Sequence, residues 1–506
     1  MKIKRALISV YDKTNIVDLA SFLTQQQIEI LSTGNTYKVL SDAGIKTQEA
    51  SDYTQFPEIL DGRVKTLHPK IHGGILCDRE KHKKEMQDLG IEPIDLLIIN
   101  LYPFLETVSS GSSEEQVIEQ IDIGGVALIR AAAKNFHFTS VISSAQDYET
   151  LKAEMVKNNN ETTLEYRKYL ACKAFALTAC YDSNIYSWFL FKSKSNELPE
   201  FFALYGRKAQ ELRYGENPHQ KAAFYSNQFT KYPLEKLHGK ELSYNNIVDI
   251  ESAINIVSEF QEPAAVIIKH NNPCGAAVGN NASEAYEKAL SCDEISSFGG
   301  IVALNREMDL KLAEKLSEVF LEVVIAPSID DEALKILQRK KNLRVIVHSS
   351  LQQNAKFQIK NVAGGFLVQE NNNYTIKAEE MNQVTEHAAT EREKEDLIFA
   401  WKICKHVKSN AIVIAKGGCA IGIGAGQTSR IDSVNIAVKK AGERCKSAVL
   451  ASDAFFPFPD SIIESAKHGI TGIIQPGGSL KDQDVIATAN ENKIAMFFTS
   501  VRSFFH

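Results

Sequence analysis

The chain has 506 residues, 44% of them hydrophobic and 24% charged, a globular mixture with material for about three domains. Its net charge of −6 comes without a basic tract, which argues against a nucleic-acid partner, and no run of about 18 uncharged apolar residues marks a membrane span. The eight cysteines show neither a CxxC pair nor a Cys/His finger spacing, the usage of free thiols in a reducing cytosol.

Met1-Lys2-Ile3-Lys4-Arg5 ahead of an apolar run at 6–10 has the outline of a secretion signal. However, Tyr11-Asp12-Lys13 ends the run too early and no small-residue cleavage site follows, so 6–10 is read as a buried first strand. Ile16–Gln25 predicts a helix, and 28–31, 94–100 and 140–143 predict further strands. Strands separated by helical patterns predict a parallel α/β sheet. The stretch 151–191 lacks strand signals and reads as helices, with helical spacing over 164–182. The composition turns polar at 192–205, where a linker is expected. Strands are predicted again at Ala264–Lys269, Gly300–Leu304, 323–326 and 345–348. The polar stretch 369–395 reads as a connection between two lobes. A helix near 394–405 then leads to a strand at 410–415, a Lys-Gly-Gly turn and Ala420–Gly424, together a β-hairpin. The segments 447–452 and 472–474 are strand-like, and no internal repeat is visible.

Several clusters carry chemistry. Ser32-Thr33-Gly34-Asn35-Thr36 follows a strand and precedes a helix, a setting for a phosphate cradle or for an ordinary capped turn. Asp61-Gly62-Arg63-Val64-Lys65-Thr66-Leu67-His68-Pro69 crowds two cations, a hydroxyl and an imidazole into one loop, suited to a phosphorylated sugar. Asn100-Leu101-Tyr102-Pro103-Phe104 and Ile121-Asp122-Ile123-Gly124-Gly125 fall at element ends, where open α/β sheets bind ligands. Lys134 sits on a predicted helix, ordinarily a surface position. In the second half, Leu212-Arg213-Tyr214-Gly215-Glu216-Asn217-Pro218-His219-Gln220 is dense in polar groups. Lys269-His270 follows directly on an apolar strand; such a pair supplies a proton acceptor and a fixed cation, or is simply a loop pair. The Gly-rich stretch from Gly422 to Arg430 matches neither the dinucleotide fingerprint nor a Walker loop, and is read as backbone-lined phosphate binding assisted by Arg430. Ser452-Asp453-Ala454-Phe455-Phe456-Pro457-Phe458-Pro459-Asp460 sets aromatics beside carboxylates, suited to a flat heterocycle or to a core.

Taken in order, SVYDKTN, GRVKTLHP, NLYPF, IDIGG, RAAAKN, LRYGENPHQ, KHNNPCGAAVG, SSFGGIVAL, SNAIVIAKGG, IGIGAGQTSRI and SDAFFPFPD resemble the bifunctional family that joins an AICAR (aminoimidazole carboxamide ribonucleotide) transformylase to an IMP cyclohydrolase. The resemblance runs from residue 3 to the C-terminus. It implies an α/β protein: a methylglyoxal-synthase-like parallel-sheet cyclohydrolase domain at 1–195, then two cytidine-deaminase-like transformylase lobes at 196–368 and 369–506. It also implies 10-formyltetrahydrofolate as co-substrate, a cytosolic homodimer with transformylase sites shared between subunits, and no catalytic metal. A zinc deaminase needs HxE and PCxxC; here Pro273-Cys274 lacks its second cysteine and no HxE occurs.

By the same resemblance, Lys269 and His270 carry formyl transfer and Asn410 holds the substrate and orients the imidazole. Arg213, Tyr214, Gly299, Glu322, Arg430, Phe455 and Arg502 fall on nucleotide-binding positions, and Ile431, Asp460, Ser479 and Leu480 on folate-binding ones. In the cyclohydrolase, Lys134 matches the proton acceptor, with Lys65, Tyr102 and Asp122 as its partners. Tyr11, Asp12, Lys13, Thr33, Gly34, Asn35, Thr36, Arg63, Val64, Thr66, Asn100, Ile123 and Gly124 hold the nucleotide. Two departures stand out. Asn35 replaces a usual glycine, where its tolerance of positive φ keeps the turn, and Glu322 stands where some members have Asp. A single-activity member and a nucleotide-sensing regulator are the alternatives; the regulator would leave Lys269 and His270 idle.

Overall fold

The four apolar runs of the N-terminal part become strands β1 (Arg5–Ser9), β2 (Glu29–Ser32), β4 (Leu96–Ile99) and β5 (Ser140–Ile142), and the polar pair Gln48–Glu49 adds β3, which no apolar run announced. All pair in parallel, in the order β3-β2-β1-β4-β5. The middle of β1 and all of β4 and β5 are buried, as expected of a parallel sheet covered on both faces. Helices Ile16–Gln25, Gly34–Asp42, Gly124–Lys134 and Tyr148–Lys157 connect or flank these strands. Leu164–Lys192 is a single 29-residue helix, longer than its helical pattern foretold, and starts where Thr163 Oγ1 accepts from Tyr166 N at 3.2 Å. Strand order reverses at β1, with β2 and β3 on one side and β4 and β5 on the other. In open sheets that switch point opens a crevice at the carboxyl ends.

The computed structural model describes residues 2–193, 197–226, 234–348 and 357–506. The chain divides into two units, Met1–Arg207 and Lys208–Tyr225 with Tyr232–His506. The linker expected at 192–205, and with it the expected 195/196 boundary, falls partly on 194–196, outside the described residues. Among the described residues no helix is long and apolar enough to cross a membrane.

A ribbon of β6 (Arg207–Leu212) and β7 (Ala222–Ser226) precedes two six-stranded mixed sheets. One contains β8 (Leu234–His238), β9 (Ala264–Lys269), β10 (Asn272–Val278), β11 (Gly300–Leu304), β12 (Leu321–Ala326) and β13 (Arg344–His348). A hairpin of β14 (Phe357–Val362) and β15 (Gly365–Glu370) follows, so the expected 368/369 boundary falls inside a strand. The other sheet contains β16 (Asn382–Gln383), β17 (Ile412–Ala415), β18 (Ala420–Gly424), β19 (Ala448–Ser452), β20 (Ile470–Gln475) and β21 (Ala495–Phe498).

The orders β10-β9-β11-β12-β13-β8 and β18-β17-β19-β20-β21-β16 are the same plan. Each has an outer antiparallel hairpin, an antiparallel neighbour, two parallel pairings and an antiparallel edge strand. A repeat therefore exists that no residue pattern shows, because the two halves share topology and apolar runs rather than a common string of residues.

Glycines seat a helix on each hairpin. A Cβ at Gly275 would lie 2.1 Å from Ala289 O of helix Ala282–Cys292; one at Gly422 or Gly424 would lie 2.2 Å from Ala437 O or 2.0 Å from Ser433 O of helix Arg430–Ala441. The Gly-rich stretch read as a phosphate loop is thus partly a strand, and Gly422 and Gly424 serve helix–strand approach. The two lobes share one apolar core and join at the hairpins, where Val278 N donates to Gly418 O at 2.8 Å. Glu259 of the first lobe takes Lys405 at 2.6 Å and His406 at 3.0 Å from the second, all largely buried.

Candidate active sites

At the carboxyl ends of β1, β2 and β4 lies a cavity of about 630 Å³. It brings together Tyr11, Lys13, Thr33, Asn35, Thr36, Arg63, Lys65, Thr66, Asn100, Tyr102, Asp122, Ile123 and Gly124. Asn100, just past β4, clamps the loop after β1: its Oδ1 accepts from Tyr11 N at 2.6 Å and Asp12 N at 3.0 Å, and its Nδ2 donates to Asp12 O at 2.9 Å. Thr36 Oγ1 donates to Val10 O at 2.9 Å, and the Ser9 and Thr33 hydroxyls meet at 2.9 Å. The Thr33 side chain does not cap the helix it precedes; its carbonyl takes Thr36 N at 3.0 Å and Tyr37 N at 3.1 Å, and the amides of Gly34 and Asn35 stand at the helix N-terminus, a setting for an anion. Positive φ falls on Gly34 (42°), not on Asn35, which sits in the helical turn. The asparagine therefore needs no left-handed backbone to keep the turn.

Three cations, Lys13, Arg63 and Lys65, line this cavity. Burial pushes the Lys13 ammonium below its ordinary pKa, and neighbouring Lys65 adds to that against the pull of Asp12. Arg63 is paired with Glu119, a lining residue that sequence reading did not single out. Asp122 is held through both its backbone and its carboxylate. Its N–H donates to the Tyr181 hydroxyl at 2.8 Å, that hydroxyl donates to Gln120 O at 2.7 Å, and its Oδ1 accepts from Gly125 N at 2.6 Å. Burial lifts its carboxyl above the usual carboxylate range, against the backbone hydrogen bonds from Gly125 and Tyr102 and the charge of Lys65. A carboxyl group with a raised pKa beside a lysine and a tyrosine has the makings of a proton-transfer centre. Tyr181 is far along the chain, and no local pattern announced it.

Four expected residues do not line this cavity. The Asp12 carboxylate closes its own turn on Thr14 N at 2.9 Å and Thr14 Oγ1 at 2.7 Å. Gly34 lends backbone, and Val64 pairs with Ile59. Lys134 ends the helix that Gly124 begins, roughly 15 Å further along at 1.5 Å per residue. It lines a separate concavity of about 780 Å³ with His72, Arg130, Lys168 and Phe175.

The second centre starts from β9, which delivers Lys269 to a tight left-handed turn at His270 (φ 51°) and Asn271 (φ 62°) before β10 returns. Asn271 N donates to Asp249 Oδ1 at 2.6 Å and fixes the turn, leaving the His270 side chain exposed. Lys269 Nζ donates to Phe298 O, and a Cβ at Gly299 (φ 71°) would stand 3.2 Å from that ammonium. Asn272 Oδ1 accepts from Lys408 N of the other lobe at 3.1 Å, which brings the His270 turn next to Ser409 and Asn410. Asn410 Oδ1 accepts from Arg430 Nη2 at 2.8 Å, and its Nδ2 donates to Gln427 O and Thr428 O at 3.0 and 3.2 Å.

The Arg430 guanidinium is buried and paired with Asp453, so its side chain orients Asn410 instead of lying open to a phosphate. Glu322 pairs with Arg344 at 2.5 Å. Arg213 lies over the Tyr214 ring at 5.4 Å, and Arg502 over Phe504 at 4.9 Å. The aromatic run is split: Phe456 is in the core, its N–H on Gln475 Oε1 at 3.1 Å, while Phe455 faces out. Ile431 and Asp460 open two helices that pack together, Arg430–Ala441 and Asp460–Lys467. Ser479 and Leu480 follow β20, with Leu480 fully exposed. Among the described residues no His, Cys, Asp and Glu side chains converge as a metal cage.

A parallel-sheet nucleotide-type cavity and a separate lysine–histidine centre on a twice-built sheet define a two-site α/β enzyme. The family model described as "AICARFT/IMPCHase bienzyme" matches residues 132–440, and the "MGS-like domain" model matches 15–127. The bifunctional purine biosynthesis protein PurH of Thermoanaerobacter sp. (strain X514) is 51% identical over 99% of this chain and 100% of its own length. The protein of the same name from Bacillus cereus (strain B4264) is also 51% identical, again over 99% and 100%. A solved chain described as "Crystal structure of ForH" is 33% identical, covering 38% of this chain and 100% of its own, at a TM-score of 0.34. The chain belongs to the AICARFT/IMPCHase bienzyme family.

Proposed function

We propose a division of labour between the two units for the last two steps of purine biosynthesis, which this family catalyses. The second unit transfers the formyl group of 10-formyltetrahydrofolate to the 5-amino group of AICAR. That amine is delocalised into its ring and is a weak nucleophile. His270 takes its proton as the nitrogen bonds to the formyl carbon; the bond to the folate nitrogen breaks, and the proton is passed to that nitrogen. Lys269 steadies the oxyanion between the two events. Asn410 and the exposed Phe455 face the nucleotide, Arg213, Tyr214, Gly299, Glu322 and Arg502 complete its binding, and Ile431, Asp460, Ser479 and Leu480 receive the folate.

The first unit closes the ring. The carboxamide nitrogen of formyl-AICAR attacks the formyl carbon and water leaves, giving IMP. An amide is a poor nucleophile, so a base and oxyanion support are needed. Lys65, Tyr102 and Asp122 supply them, while Lys13, Arg63 and the Gly34–Asp42 helix N-terminus hold the phosphate. The observation that carries this reading is the convergence of these three groups with the cations at the switch point of the parallel sheet. Lys134 stands outside that convergence in a single chain; its place as proton acceptor is tested by Lys134→Ala. The protein acts as a cytosolic homodimer whose transformylase sites are shared between subunits.

The deciding experiment supplies AICAR and 10-formyltetrahydrofolate and follows tetrahydrofolate and IMP separately. Both are expected, with His270→Ala abolishing the first and sparing cyclisation of supplied formyl-AICAR. Tetrahydrofolate without IMP would leave a transformylase only, and neither product from folded protein would sink the assignment.

A further inference from the structure

The residue after β19 is Asp453, whose carboxylate is wholly buried. A charge taken out of water must be compensated. One oxygen pairs with Arg430 Nη1, which also donates to Ser452 Oγ at 2.8 Å; the other accepts from the Ser409 hydroxyl at 2.5 Å. Two arms leave this point. Along the first, Arg430 Nη2 donates to Asn410 Oδ1 at 2.8 Å, while Ser433 Oγ holds Asn410 O at 2.8 Å. The amide of Asn410 is thereby fixed in one orientation. Along the second, Ser409 N donates to Phe505 O at 2.9 Å, Phe505 N to Ser409 Oγ at 3.1 Å, and Ser503 N to Asp453 O at 2.8 Å. Lys408 Nζ stands 4.1 Å above the Phe505 ring. This arm pins the C-terminal segment that bears Arg502, and Lys408 N reaches back to Asn272, two residues from His270.

We infer that Asp453 is a positioning residue for formyl transfer, setting Asn410 through Arg430 and the Arg502-bearing C-terminal segment through Ser409. The inference rests on the assignment of formyl transfer to this unit. Both arms end on groups assigned to the nucleotide, so the carboxylate acts on the reaction through them.

The test is Asp453→Asn in the full chain, with formyl transfer and cyclisation of supplied formyl-AICAR measured on one preparation. The neutral amide keeps the volume and loses the charge that orders both arms. Formyl-transfer kcat is expected to fall on the order of 10²-fold, the usual consequence of misplacing a site by about 1 Å. KM for AICAR is expected to rise and cyclisation to stay unchanged. Ser409→Ala frees only the second arm and is expected to raise KM for AICAR with kcat largely kept. Wild-type formyl-transfer kinetics in Asp453→Asn would overturn the inference, as would equal loss of both activities. If Asp453→Asn does not fold, an unchanged KM for AICAR in Ser409→Ala overturns it. A wild-type chain that forms no tetrahydrofolate would instead refute the assignment beneath it.

Discussion

Replacing Gly424 by alanine should turn a packing fault into the loss of one activity. Strand β18 lies so close to helix Arg430–Ala441 that the added Cβ would stand 2.0 Å from Ser433 O. Comfortable contact needs about 3.5 Å, so strand and helix must part by roughly 1.5 Å. Both groups that set Asn410 from this helix, Ser433 Oγ and Arg430 Nη2, now bond it at 2.8 Å. A displacement of that size carries them out of hydrogen-bond range. Overpacking of this kind costs about 1–3 kcal/mol, and each kcal/mol lowers Tm by roughly 1–2 °C in a unit of this size. The misplaced amide should cost formyl transfer on the order of 10²-fold. Scanning calorimetry gives the first number, and separate assays of the two steps give the second, with cyclisation unchanged. Gly365→Ala, where a Cβ meets nothing within 4 Å, is the neutral control. A Gly424→Ala protein with wild-type melting and wild-type formyl transfer would refute the reasoning.

Lys65→Met should lower cyclisation by about 10²-fold while formyl transfer holds; a parallel fall in both steps, read on the same preparation, would count against a local role. Asp122→Asn should abolish cyclisation and yet stabilise the first unit at neutral pH. Burial raises this carboxyl's pKa, so its contribution to stability is present at low pH and lost as pH rises through the raised value. The melting-temperature gap between variant and wild type should therefore close on acidification; a gap that widens in acid contradicts this. Glu259→Ala leaves Lys405, only 2% exposed, without its carboxylate and should destabilise the second unit by about 3–5 kcal/mol in denaturant titration. His406 and Lys405 hold Glu259 below the usual carboxylate range despite burial, so in the wild type this contribution is lost as pH falls through the lowered value.

Most of the first sheet was legible because parallel strands buried on both faces read as unbroken apolar runs, as in Leu96–Ile99. Two strands of the next sheet were not. β8 is half polar (Leu-Glu-Lys-Leu-His), and β10 carries Pro273 and Gly275, which mark a loop unless a helix is known to lie against the glycine. The repeat was hidden for the same reason: it resides in pairing order. In the first site, residues clustered in short motifs reached one cavity, whereas Tyr181 arrives on a helix that begins some 40 residues after Asp122. Lys134 shows the reverse case, since helical rise alone separates it from Gly124. Arg430 was read as open to a phosphate because its buried partner, Asp453, lies in a different motif.

The hydrogen bond between Val278 and Gly418, and the bridge between Ala277 and Cys419, close the outer edges of β10 and β18 on each other. An unpaired strand edge is a template for foreign strands, and natural sheets guard it. Here each lobe is the other's guard. A chain cut between 370 and 382 would bare two short, apolar, glycine-containing edges at once, so either lobe made alone should aggregate where the pair does not.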